Sequence, residues 1–265
     1  MATTCSIPVI DLHDFPNQSS KLMAACEEWG CFRLLNHHEV LPSTLMSEMK
    51  SVVKSLFDLP VEIKCQNRDH STGGGYMAPT AEQPFYEALG LYGMDISHSI
   101  ETFCSQLHVS PYQRMNKYHF TPHSVGSIGV RTHTDSSFIT ILQDDEGVHG
   151  LEVMDKFGHF VPVDPWPGTI IINLGDMAKV WSNGRFCNVI HRVQCKEGTM
   201  RLSIASGLLG PRETIIEPPT ELVDDDHPRV YVPTTYEDYR NLRFSTGLQA
   251  GEALALLLKP PISGN

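Results

Sequence analysis

A chain of 265 residues, 41% hydrophobic and 19% charged, can bury a substantial core and has room for one large domain or two small ones. Its formal net charge of −11 argues against nucleic acid and anionic membrane surfaces as partners, because both attract basic patches. No apolar run approaches the length of a membrane span, and nothing near the start reads as a secretory signal.

Seven cysteines (Cys5, Cys26, Cys31, Cys65, Cys104, Cys187 and Cys195) include no C-x-x-C pair and read as reduced thiols of a cytoplasmic protein. Ile7 to Leu12 is a short β-branched run and reads as a strand. A helix is expected over Leu22–Trp29, ended by Gly30, with a second strand at Cys31–Leu35. Leu45, Met49, Val52, Val53 and Leu56 then form one apolar stripe at helical spacing, and Pro60 is expected to stop that helix. Residues 71–92 mix three consecutive glycines with aromatics and read as a ligand-facing loop. Gly73, Gly74 and Gly75 are not followed by Lys-Ser/Thr, which speaks against a phosphate cradle.

From Asn116 onward the texture changes. Short β-rich runs are expected at Tyr118–Phe120, Phe138–Gln143, Leu151–Met154, Phe160–Val163, Thr169–Leu174, Phe186–Val193 and Leu202–Ala205. Such spacing indicates a jelly roll or barrel with flanking helices rather than a parallel α/β sheet. Helical stretches near Tyr236–Leu242 and Ala250–Leu258 are expected to pack on the outside.

His133 and Asp135 form an H-x-D triplet at strand spacing, where residues i and i+2 point the same way. With thirteen histidines in the chain, a lone H-x-D would be weak. Here His191 follows in a later strand, and Arg201 and Ser203 follow that histidine at strand spacing. Two imidazoles and one carboxylate can occupy one face of an octahedral Fe(II) and leave the other face open. An arginine fork with a neighbouring hydroxyl suits the distal carboxylate of a keto-acid. The apolar neighbours of Arg201 suggest burial rather than a surface salt bridge. Asn116 and Tyr118 are another same-face pair, offering an amide and a phenol to an oxygen-rich ligand.

The segments HTDSSFITILQDD, PGTIIINLGDMAKVWSNGRFCNVIHRV and RLSIASGLLGP resemble the plant Fe(II)/2-oxoglutarate-dependent dioxygenases, and IPVIDL and EEWGCFRLLNH resemble that family's opening. Within the family, GGGYMAPTAEQPFYEALGLYGM, ETFCSQL and RNLRFSTGLQAGEALALL are most similar to the dioxygenases for auxin oxidation. The resemblance implies a double-stranded β-helix (jelly roll), with an N-terminal α/β region at 1–110, the core at 111–215 and a helical extension at 216–265. It implies Fe(II) held by His133, Asp135 and His191, with O2 and 2-oxoglutarate as co-substrates. Arg201, Ser203, Tyr118 and Asn116 would line the 2-oxoglutarate site, and Tyr76, Phe85 and Tyr86 the substrate wall, although ordinary loop packing explains those three aromatics equally well.

The implied reaction is oxidation of a small aromatic acid, indole-3-acetic acid, to 2-oxoindole-3-acetic acid. Other readings stay open: a shortened, catalytically impaired binding protein, a dioxygenase for another hormone or secondary metabolite, and, more remotely, a metal hydrolase. The shortened reading arises because Arg114 runs directly into Met115, where the family carries several tens of residues including a helix. That loss is expected to uncover apolar surface.

Overall fold

Strands that are apolar on one side must find a second layer to cover them. In the computed structural model, which describes residues 6–67, 74–91, 115–210 and 214–259, two facing β-sheets do this. The strands in chain order are β1 (Val9–Asp11), β2 (Cys31–Leu35), β3 (Gly75–Met77), β4 (Tyr86–Gly90), β5 (Met115–Tyr118), β6 (Ile128–His133) and β7 (Ile139–Gln143). They continue with β8 (Leu151–Met154), β9 (Phe160–Pro162), β10 (Ile170–Leu174), β11 (His191–Gln194), β12 (Arg201–Leu208), β13 (Ile215–Ile216) and β14 (Thr234–Thr235). The larger sheet runs β1-β2-β10-β7-β12-β5-β4-β3 and the smaller β6-β11-β8-β9, with β13 and β14 as a separate pair. Tyr118, Leu142 and Ile171 from the large sheet pack against Leu151, Val153 and Val193 from the small one. This architecture is a double-stranded β-helix, or jelly roll, with the N-terminal strands β1 and β2 at one side and β3 and β4 at the other completing the large sheet.

Helices close the outer face of the large sheet. The apolar stripe of α2 (Ser43–Phe57) buries Val53, Leu56 and Phe57 against Leu202 and Ile204 of β12. Helix α1 (Ser19–Glu28) buries Ala25 and Cys26 near Ile10, Phe32 and Ile172. The short α3 (Val61–Lys64) follows Pro60, so the proline opens a helix rather than stopping α2, which ends at Phe57. Among the described residues no helix is long and apolar enough to cross a membrane.

Several other elements depart from expectation. Residues 75–77 and 86–90 are paired strands, not loop: β3 and β4 extend the sheet at its edge, where backbone pairing to β5 decides and side-chain periodicity does not. Strand β6, with two glycines nearby and polar Arg131 and Thr132, gives no apolar signal. The expected strand at 186–193 is shortened to β11, because Cys187 and Val189 donate their N–H groups to the Cys26 and Leu174 carbonyls instead of to a ladder. Helix α4 (Asp176–Trp181) and helix α5 (Tyr236–Thr246) complete the fold, and α5 is not an outer decoration: it buries Tyr236, Tyr239, Arg240 and Arg243. Gly73, Cys5, Cys104 and the Arg114 junction lie outside the described residues. The five described cysteines form no disulfide, and burial pushes the Cys26 and Cys31 thiols up to about 11 and about 12, far from thiolate chemistry.

A buried carboxylate ties α3 to the sheet edge. Glu87 on β4, 2% exposed, accepts from Lys64 Nζ at 2.8 Å, from the Tyr76 hydroxyl at 2.7 Å, and lies 2.7 Å from His119 Nε2. Desolvation alone would raise its pKa, yet the bonds from His119, Lys64 and Tyr76 bring it down to about 2. Because the folded value lies below the unfolded one, the stabilisation is complete above the ordinary pKa of 4.5 and disappears as pH falls toward about 2. Glu87→Gln should cost about 3 kcal/mol at neutral pH. It should also flatten the acid limb of a plot of Tm against pH between those two values.

Candidate metal and carboxylate site

His133 is the last residue of β6 and His191 the first of β11, and the antiparallel register sets them directly opposite one another. Their ring centroids are 4.2 Å apart. His133 Nδ1 lies 2.8 Å from the Arg131 carbonyl and His191 Nδ1 lies 3.2 Å from the Val189 carbonyl. Each ring thus donates from Nδ1 to its own strand and turns the Nε2 lone pair inward, as metal-binding imidazoles commonly do. Those Nε2 atoms stand 3.7 and 3.9 Å from Asp135 Oδ1, too far to be hydrogen-bonded to it.

The three donor atoms all lie within 4.8 Å of one another, a spacing that leaves room for one ion about 2.1 Å from each. Asp135 Oδ2 is buried with no hydrogen-bond partner. Desolvation, followed by the charge of His191, lowers the His133 pKa to about 4. Desolvation opposes ionisation of Asp135, but His191 and His133 together hold it below the usual carboxylate value. These directions favour a neutral His133 and an ionised Asp135, states that suit a divalent cation. The donor set therefore fits Fe(II), on the orphaned oxygen, the two inward lone pairs and the mixed nitrogen and oxygen chemistry.

Strand spacing does not place Asp135, which lies beyond the end of β6. A turn does. The Asp135 carbonyl accepts from the Asp176 backbone N–H at 2.8 Å, and Gly175 passes so close that a Cβ there would stand 2.7 Å from that oxygen.

Arg201 and Ser203 alternate onto one face of β12, and β5 places Tyr118 opposite the first and Asn116 opposite the second. Arg201 is fully buried, and its guanidinium lies 5.0 Å from the Tyr118 ring centroid. The expected burial is found, with a partner that sequence reading passes over: Arg201 Nη2 donates to Asp144 Oδ1. Two neighbouring acids at the end of a strand look like a solvated turn, whereas Asp144 is nearly buried and Asp145 caps the Leu202 N–H. Arg201 Nε and Nη1 have no hydrogen-bond partner, so the guanidinium keeps donors to spare for a second carboxylate.

This face and the histidines look into the same space between the sheets. A Cβ at Gly129 of β6 would stand 2.8 Å from the Tyr118 ring, and His191 shares the inward face of β11 with the core residue Val193. The three aromatic candidates separate. The Tyr86 hydroxyl donates to Asn116 Oδ1 at 2.9 Å, and its ring lies 5.5 Å from that of Tyr118. Phe85 packs against the inter-sheet core. Tyr76 lies with Leu202 and Ile204 on the opposite face of the sheet, its hydroxyl held by Glu87, and takes no part in this grouping.

A jelly roll with this set of donors defines a non-haem metal oxygenase type of site, and comparison with known proteins agrees. A family model described as the 2OG-Fe(II) oxygenase superfamily matches residues 109–208, and one described as non-haem dioxygenase in morphine synthesis N-terminal matches residues 7–102. The 2-oxoglutarate-dependent dioxygenase DAO of Oryza sativa subsp. indica is 42% identical over 297 residues, covering 95% of this chain and 98% of the relative. The crystal structure of the rice dioxygenase for auxin oxidation superposes with a TM-score of 0.85 at 41% identity, covering 96% of this chain and 100% of that one. The Arabidopsis thaliana dioxygenase for auxin oxidation 1, in a binary complex with 2-oxoglutarate, gives 0.78 at 48% identity, over 84% and 100% of the two chains.

The chain belongs to the 2-oxoglutarate- and Fe(II)-dependent oxygenases. It is accordingly an enzyme that uses Fe(II) as cofactor and 2-oxoglutarate as co-substrate.

Asp144 is the only charge found paired with the buried Arg201 among the described residues. Asp144→Asn should therefore strand a desolvated guanidinium and cost about 3–5 kcal/mol, read as a fall in urea midpoint without a change in slope.

Proposed function

We propose that this enzyme oxidises a small aromatic acid, indole-3-acetic acid, to 2-oxoindole-3-acetic acid, and thereby removes an auxin. In this reading His133, Asp135 and His191 hold the ferrous ion, while Arg201, Ser203, Tyr118 and Asn116 receive 2-oxoglutarate. The observation that carries it is the convergence of two inward imidazoles and a partnerless carboxylate oxygen beside a buried arginine with two free donors. Similarity to the auxin-oxidising relatives over nearly the whole chain supports the choice of substrate.

When bound, Fe(II) with O2 and 2-oxoglutarate supplies the oxidising power, yielding succinate and CO2 as the co-substrate is consumed. The chain's own residues position and neutralise. The backbone carbonyls of Arg131 and Val189 keep both imidazoles in the tautomer that presents Nε2. Arg201 offers Nε and Nη1 to the distal carboxylate while Asp144 holds Nη2, so the cation is compensated before and after the co-substrate arrives. Ser203 and Tyr118 add hydroxyls on the same face, and Asn116 is oriented by Tyr86. The inter-sheet core beside them excludes bulk water. Phe85 and Tyr86 stand nearest this wall and are the aromatic groups suited to an indole ring.

A second reading has its own support. The alignment with the rice relative spans 297 positions against a chain of 265 residues, so that relative carries sequence this chain lacks. A shortened protein could bind iron and co-substrate without turning over.

The deciding experiment is anaerobic titration with Fe(II) and then 2-oxoglutarate, followed by exposure to O2 with and without indole-3-acetic acid. Succinate and an indole product heavier by one oxygen are expected together; binding without succinate would establish the second reading instead. Asp135→Ala should abolish succinate formation, and persistence of turnover would remove the ligand assignment. Arg201→Lys, which gives up the fork, should weaken 2-oxoglutarate binding by about 10–100-fold while leaving metal affinity unchanged.

A further inference from the structure

Where β6 ends, the sheet no longer supplies partners for the backbone, yet the acidic donor Asp135 lies two residues further on. Three consecutive peptide groups there are satisfied from elsewhere. The Thr134 N–H donates to the Gln249 carbonyl at 2.9 Å, and the Thr134 carbonyl accepts from Arg243 Nη2 at 2.8 Å. The Asp135 carbonyl accepts from the Asp176 N–H. The Thr134 side chain, which strand spacing turns away from the metal donors, is fully buried and donates to Asp176 Oδ2 at 3.1 Å.

Arg243 and Asp176 are the two ends of this arrangement. Arg243 Nη1 donates to Asp176 Oδ2 at 2.6 Å, and Asp176, with no exposed surface, also accepts from the Tyr239 hydroxyl at 2.5 Å and from Asn188 Nδ2 at 2.7 Å. Asn188 stands three residues before His191, so the same carboxylate touches the approach to both histidine-bearing strands. A guanidinium is suited to the task because one nitrogen can grip the carboxylate while the other grips a peptide oxygen.

We propose that Arg243, acting through Asp176 and the Thr134 peptide, is a positioning residue for the metal triplet, so that helix α5 sets the affinity of the site for the ferrous ion. The inference rests on the proposed assignment of His133, Asp135 and His191 as ligands. It extends the site to a residue 52 positions beyond the last of them in sequence, whose contacts with the triplet are made to the backbone and to Thr134. Loss of such outer contacts ordinarily weakens metal binding by about 10–100-fold.

The test is anaerobic Fe(II) titration of the folded protein, repeated with Mn(II) as a redox-inert probe, on wild type, Arg243→Gln, Arg243→Lys and Leu254→Ala. Leu254 is buried in the cluster that packs α5 against α4, so its truncation loosens the same region while removing none of the hydrogen bonds to Asp176 or the Thr134 peptide. Arg243→Gln should weaken metal binding by at least about tenfold. Leu254→Ala should lower Tm comparably and leave metal affinity unchanged. Should Arg243→Gln fail to fold, Arg243→Lys carries the test: its ammonium can keep Asp176 but cannot also hold the Thr134 carbonyl, and its metal affinity should fall likewise. Wild-type affinity in both arginine variants, or an equal loss in Leu254→Ala, would overturn the inference alone. A wild-type protein that binds neither metal would overturn the ligand assignment and this inference with it.

Discussion

Pairing of β6 with β11 is the constraint on which the site depends, because it is what makes neighbours of two histidines 58 residues apart. A cross-strand pair is held by two backbones at once, so neither ring can drift without breaking a ladder. Each ring then spends its Nδ1 on its own strand, and the remaining nitrogens have only the inter-sheet space to face. Everything else in the grouping is adjusted to that pair.

Charge in the interior is compensated locally. Arg201 is compensated by Asp144, Arg243 by Asp176 and Lys64 by Glu87, and each pair is buried or nearly so. Pairs of that kind are poor sources of net stability, since desolvation consumes much of the Coulombic gain. They are good at fixing geometry, because a buried charge has few alternative partners. The Glu87 pair fixes α3 against β4, where stability is the only consequence the contacts suggest. The other two pairs adjoin the groups proposed to bind co-substrate and metal, where geometry is worth its cost.

The candidate groups are divided between the two sheets. Metal donors lie on the small sheet and the turn after it, and the arginine face lies on the large sheet. Phe85 and Tyr86 come from the start of β4, next to the edge strand β3 of that large sheet, and both pack against the inter-sheet core.

Sequence alone determined the chemistry available and most of the elements that carry it. Strands β2 and β8 fall where the short apolar runs predict them, and Met49, Val52, Val53 and Leu56 pack as one helical face, because local periodicity reflects which side of an element is buried; Leu45, expected on that face, is exposed, and Met46 beside it is buried instead. The H-x-D triplet, His191 and the Arg201–Ser203 pair were legible from residue type and spacing, and the fold brings His133, Asp135 and His191 within 4.8 Å of one another. What the tertiary structure decided is everything that depends on partners distant in sequence. Strands β3 and β4 exist because β5 offers them an edge, and Tyr76 faces away from Tyr86 because alternation on that edge puts it there. Asp144, Asp176 and Arg243 carry no local signal, since a charged residue in a turn or on a polar helix is ordinary until folding removes its water and leaves it partners distant in sequence.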